Sequence, residues 1–83
     1  MTDNISTISS TLTGLLHTQL SEPRKITAAT DLISDLALES VQIMEFMVEV
    51  EDHYDIAISL EALADIRTLG QLAQVVSDML DNR

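Results

Sequence analysis

The sequence predicts an all-α fold, a four-helix bundle of three main helices and one short helix, with a long loop between helices 1 and 2. Three observations predict it. Apolar residues recur at helical spacing in separate stretches of the chain. The apolar mass is aliphatic: 46% of residues are hydrophobic, yet Phe46 and Tyr54 are the only aromatics. The one alternating run, "YDIAIS" at 54–59, has no second strand to pair with.

At 83 residues the chain is one domain at most, and we read 1–83 as a single domain. A chain this short buries roughly 60–65% of its extended surface. That supplies one small core, with no room for an enclosed substrate cavity of several hundred Å³ as well. The size therefore argues against an enzyme. Met1 and the few residues beyond Leu80 predict a free-standing protein, acting as a monomer.

The first helix is expected over 5–20, where Ile5, Ile8, Leu12, Leu15, Leu16 and Leu20 share one side of a helical wheel. Ser6, Ser9, Ser10, Thr11 and Thr13 are weak helix formers, so this helix depends on packing. Asp3 or Asn4 is placed to cap it. Pro23 within "SEPRK" stops it. Residues 21–39 then form a long connection. Ile26, Leu32, Ile33, Leu36 and Leu38 predict that it packs across the bundle, with a short turn near 31–35.

The second helix is expected over 40–54. A short helix follows at 59–66, capped by Ser59. Thr68 with Gln71 three residues on is a capping-box pattern opening the last helix. There Leu69, Leu72, Val75, Val76, Met79 and Leu80 share a face, and Gly70 sits in the first turn at small cost.

The net charge is −10. Between Lys25 and Arg67 there is no Lys or Arg, while the interval holds Asp31, Asp35, Glu39, Glu45, Glu49, Glu51, Asp52, Asp55, Glu61 and Asp65. Such a field repels a phosphate backbone, so nucleic acid is excluded as a partner. It steers basic protein surfaces inward. The plainer function of the acids is solubility. No stretch approaches the ~18 apolar residues of a membrane span. The opening "MTDNISTISS" has no basic n-region or apolar run, so no secretory leader is expected. Zero cysteine excludes disulfides and thiolate metal sites and fits the reducing cytoplasm.

The second helix carries two apolar faces. Ile43, Phe46, Met47, Val50 and Tyr54 fall within an arc of about 100°, an ordinary core face. Val41, Met44 and Val48 lie on a separate arc, bracketed by Glu51 on one flank and Glu45 and Asp52 on the other, with Gln42 and Glu49 beyond. Two readings stand: the 21–39 loop covers this arc, or it is an exposed strip that meets basic partner proteins. Methionine suits such a strip because it repacks easily. Ser40 opens the helix, where unpaired N–H groups favour an attached phosphate. By itself, an ordinary first-turn serine is the simpler account.

"DLALESVQIMEFMVEVEDHYDIAIS", residues 35–59, resembles the central segment of acyl and peptidyl carrier proteins. That family reads D-L-G-x-D-S-L, then an acidic-apolar helix and an aromatic, acid and I-x-I-like turn. Asp35, Leu36 and Ser40 match the opening. Glu45, Phe46, Met47, Val50, Glu51, Tyr54, Asp55 and Ile58 follow in register without a gap. The resemblance spans most of 5–80, and "TLGQLAQVVSDML" resembles the family's last helix.

The resemblance implies a carrier of acyl or aminoacyl groups, held as a thioester on a 4′-phosphopantetheine arm. The arm derives from coenzyme A and is attached at Ser40 by a phosphopantetheinyl transferase. Ser40 then needs no local activation, because the transferase supplies the base, and the missing cysteine is replaced by the arm's thiol. The resemblance also implies partner recognition through Glu39, Val41, Gln42, Met44, Glu45, Val48, Glu49 and Asp52. The further partners are an acyl- or aminoacyl-loading ligase and downstream transferases with basic docking surfaces. Ala37, Glu39 and Val41 depart from the family's glycine, aspartate and leucine or methionine, which points to a specialised carrier. The alternative is an unmodified acidic interaction module using the same strip.

His17 and His53 have no ligand-like spacing, and "EDHYD" lacks the D-x-D-x-D-G pattern of a calcium loop, so no metal site is expected.

Overall fold

The computed structural model describes residues 5–20 and 24–82. Among the described residues there are four helices: α1 (Ile5–His17), α2 (Ser40–Tyr54), α3 (Leu60–Ala64) and α4 (Leu69–Asp81). Among the described residues there is no strand, only one isolated bridge between Asp31 and Thr68. The expected all-α bundle with three main helices and one short one is the observed architecture. The suggested caps Asp3 and Asn4, and the stop at Pro23, lie outside the described residues.

Helix α1 buries Ile8, Leu12 and Leu16, a single i, i+4, i+8 row. Burying each such side chain contributes roughly 1.5–3 kcal/mol, which offsets the poor helix propensity of the serines and threonines between them. The helix ends at His17, three residues earlier than its apolar period suggests. Thr18, Gln19 and Leu20 continue instead as a tight winding, each N–H reaching the carbonyl three residues back. Thr18 Oγ1 also donates to Leu15 O at 2.6 Å. Leu20 still packs against the core from this winding.

Helix α2 buries Phe46, Met47, Val50 and Tyr54, with Ile43 packed at the margin of the core. It ends at Asp55, whose φ of 55° is left-handed and whose N–H bonds Glu51 O. Aspartate tolerates that region better than most residues. The alternating run after it is therefore a turn, with Ile56 N–H also on Glu51 O at 3.1 Å. Helix α3 is shorter than the expected 59–66. Ser59 Oγ caps it by accepting the Ala62 N–H at 3.1 Å, and Ile66 has left the helix to enter the core. Helix α4 shows both halves of the capping box between Thr68 and Gln71. It buries Leu69, Leu72, Ala73 and Val76 against α1.

The long loop is stitched to the start of α4. Leu32 N–H donates to Arg67 O at 2.8 Å, Leu69 N–H to Thr30 O at 3.1 Å, and Gly70 N–H to Ala28 O at 2.9 Å. This approach favours Gly70, since a Cβ there would meet Ala28 O at 3.0 Å and Ala28 Cβ at 3.2 Å and would push the loop back. The expected turn near 31–35 is built on Asp31. Its Oδ1 accepts the N–H groups of Ile33 and Ser34 at 2.9 and 2.7 Å. Leu32, Leu36 and Leu38 then drop into the core.

Candidate functional site

The loop's leucines face the core, so nothing in it covers the second arc of α2. Val41, Met44 and Val48 remain 57%, 64% and 53% exposed. These values decide between the two readings of that arc: it is an open apolar strip. Glu45 and Asp52 are exposed beside it.

Ser40 is the first residue of α2, and it is exposed. Glu39 precedes it as the N-cap with extended backbone, φ −78° and ψ 160°. No described residue hydrogen bonds the Ser40 hydroxyl. Helical spacing puts Ser40, Met44, Met47 and Glu51 on one stripe, at i, i+4, i+7 and i+11. That stripe leads into an apolar crevice of about 160 Å³ between α2 and α3, lined by Met44, Met47, Val48, Glu51, Ile58 and Leu63. Glu51 Oε2 accepts the Ile58 N–H at 2.8 Å, which fixes the far wall.

The expected recognition residues do not all behave alike. Val41, Met44, Glu45, Val48 and Asp52 are open. Gln42 is half-buried and held at both ends: its Oε1 accepts the Glu39 N–H and its Nε2 donates to Gln19 O, each at 2.9 Å. Glu49 is also half-buried: its Oε1 accepts from Gln19 Nε2 at 3.3 Å, and its Oε2 lies 3.2 Å from the Thr18 hydroxyl, whose one proton it shares with the nearer Leu15 O at 2.6 Å. Sequence reasoning assigned both to the recognition face. Apart from the Glu39–Gln42 pairing, which is local, their partners lie 23 to 31 residues away and leave no local signal. On this flank an open cleft of about 430 Å³ is walled by Gln19, Arg24, Glu39 and Gln42.

The described residues hold no group of three or more His, Cys, Asp or Glu suited to a metal ion. His17 Nε2 donates to Arg24 O at 3.2 Å, and the His53 ring meets Tyr54 edge-on. No described helix is long and apolar enough to cross a membrane.

An accessible hydroxyl at a helix start, leading along one stripe to an apolar crevice, suits a tethered group. The fold and site define a small helical carrier domain. Residues 10–76 match the family described as "Phosphopantetheine attachment site". A Caulobacter vibrioides protein named "Probable acyl carrier protein" is 34% identical over 55 residues, 66% of this chain and 64% of that protein. The meromycolate extension acyl carrier protein of Mycobacterium leprae is 33% identical over 58 residues, 70% of this chain and 50% of that one. The chain thus spans about half to two thirds of the length of these curated relatives. A solved Mycobacterium tuberculosis chain assigned as an acyl carrier protein superposes with a TM-score of 0.80 at 30% identity, covering 86% of this chain and 96% of its own. A Toxoplasma mitochondrial acyl carrier protein shares the fold, with a TM-score of 0.78 at 21% identity over 92% of this chain and 90% of its own.

The chain belongs to the phosphopantetheine attachment site family. Its prosthetic group is 4′-phosphopantetheine, and residues 10–76 form a carrier domain.

Proposed function

We propose that this protein carries acyl groups on a 4′-phosphopantetheine arm at Ser40 and presents them to partner enzymes through the Val41, Met44 and Val48 strip. The observation that carries this reading is the single stripe from exposed Ser40 to the crevice at Met44 and Met47. The residues present fit the arm: the hydroxyl is exposed, and it sits at the positive end of a 15-residue helix where a phosphodiester is stabilised.

In the attachment step Ser40 Oγ forms the new bond to the phosphorus of coenzyme A. The adenosine bisphosphate half leaves, and the hydroxyl proton passes to a base on the transferase. When bound, the arm supplies a thiol that holds cargo as a thioester. This chain's own contribution is presentation and shelter. An apolar cavity of about 150 Å³ accommodates a benzene-sized group, so the crevice suits a short acyl chain. A charged aminoacyl group would lose hydration there at a cost of several kcal/mol.

The partners of this reading are a phosphopantetheinyl transferase, an acyl-loading ligase and downstream transferases with basic docking surfaces. The acidic rim at Glu45 and Asp52 supports that complementarity. The absence of cysteine from the sequence supports a reducing, cytoplasmic setting.

Incubation with a phosphopantetheinyl transferase and coenzyme A should add the mass of one arm to the chain and none to Ser40→Ala. An unchanged wild-type mass with several transferases would leave only the unmodified interaction module. Protein purified from its own host should carry acyl mass; aminoacyl mass would overturn the cargo assignment.

A further inference from the structure

The winding after α1 grips α2 at two heights on one face. Seven residues apart on α2, Gln42 reaches Gln19 O and Glu49 reaches the side chains of Thr18 and Gln19. The Gln42 amide is the upper contact, and it does more than join two helices. Its Oε1 takes the N–H of Glu39, the residue directly before Ser40. Its Nε2 is anchored on Gln19 O. The N-cap of α2 is therefore tied to the winding after α1 through one side chain.

The chain entering this helix needs holding. Ala37 has a φ of 52°, a left-handed backbone that costs a non-glycine residue about 1–2 kcal/mol. Relaxing Ala37 would swing Leu38, Glu39 and the start of α2. Two hydrogen bonds oppose that relaxation: Ala37 N–H to Ile33 O at 2.9 Å, and Glu39 N–H to Gln42 Oε1. Helix first turns fray readily, and Ser40 lies in that turn.

We propose that Gln42 is the positioning residue of the site: by clamping Glu39 against Gln19 it fixes where α2 begins and how Ser40 Oγ is offered to the transferase. This rests on Ser40 as the attachment residue. Only an amide serves both ends, because glutamate lacks the donor and methionine lacks the donor and offers only a weak acceptor.

The test compares wild type, Gln42→Met and Gln42→Glu in arm loading and in backbone amide exchange, with helical circular dichroism as the folding control. In Gln42→Met the Glu39 amide should exchange about tenfold faster, as expected for loss of one hydrogen bond. The transferase KM should rise about tenfold with kcat within about twofold. Gln42→Glu keeps the acceptor for Glu39, so both changes should be about threefold or less. A general weakening would instead speed exchange at core amides such as Val50 and Val76 and leave KM alone. Equal KM for wild type and Gln42→Met, or identical behaviour of the two variants, overturns the positioning role while the carrier reading stands. Failure of wild type to take up any arm removes both.

Discussion

Glu51 Oε2 and the Ile58 amide lie 2.8 Å apart, so the last turn of α2 holds the chain leading to α3. The same carboxylate lines the crevice that Ser40 faces along its stripe. Removing it leaves a part-buried N–H without an acceptor, which costs about 1–3 kcal/mol. Glu51→Ala should therefore lower the urea midpoint by that equivalent, and Glu51→Gln, which keeps an acceptor, by less than half as much. The crevice wall should loosen in Glu51→Ala, seen as faster exchange of the Ile58 amide. Equal midpoints for the two variants would show that the contact adds nothing.

Ala37 occupies a left-handed conformation where the family pattern has glycine. Glycine adopts that region at no steric cost. Ala37→Gly should stabilise the fold by about 0.5–1 kcal/mol after allowing for the added freedom of the unfolded chain. For a domain of this size that is a rise of about 2–8 °C in Tm. Ala37→Val should fall by at least as much. Calorimetry decides it: a lower Tm for the glycine variant would mean that alanine is not strained there.

How far the sequence spoke depends on how local each signal was. The bounds of α2 were legible because the serine start and the turn at Asp55 are written in adjacent residues. The capping box at Thr68 and Gln71 was legible for the same reason. The end of α1 was not, because Leu20 keeps the helical apolar period while the backbone tightens after His17. The exposure of Val41, Met44 and Val48 could not be read either, since the loop had leucines enough to cover them. Only the stitching of 28–32 to 67–70 commits those leucines to the core. The anchoring of Gln42 on Gln19, and of Glu49 beside Thr18 and Gln19, spans 23 to 31 residues, and no local pattern announces contacts at that separation.

Asp31 ties the loop turn together and pairs with Arg67 at 3.3 Å. The Ser34 and Ile33 N–H groups hold its carboxyl below the ordinary aspartate value of 3.8, with Arg67 adding to them. The sign follows directly. A folded-state pKa below the unfolded one contributes stability above the unfolded value and loses it as pH falls through the folded one. The whole chain also becomes less self-repelling as its acids protonate, so wild type alone is a poor readout. The stability gap between wild type and Asp31→Asn should be constant at neutral pH and close as pH drops below 3.8. Urea titrations across that range measure it, and a gap that persisted in acid would assign the difference to something other than ionised Asp31.

Glu45 and Glu49 border the same strip but differ in attachment. Glu45 is exposed, with no hydrogen-bond partner among the described residues, whereas Glu49 is bonded to Thr18 and Gln19. Charge reversal should separate recognition from stability. Glu45→Lys should slow loading by a basic-surfaced transferase about fivefold or more at low salt. At about 1 M salt, where screening acts within roughly 3 Å, the difference should shrink to under about twofold. Its circular dichroism and urea midpoint should match wild type. Glu49→Lys should show the same salt-dependent slowing and also a stability lower by about 1–2 kcal/mol, because the part-buried Gln19 amide loses its acceptor. Loading rates against ionic strength for both variants, set beside their unfolding curves, test the assignment. A Glu45→Lys protein that loads at the wild-type rate in low salt would take the acidic rim out of recognition altogether.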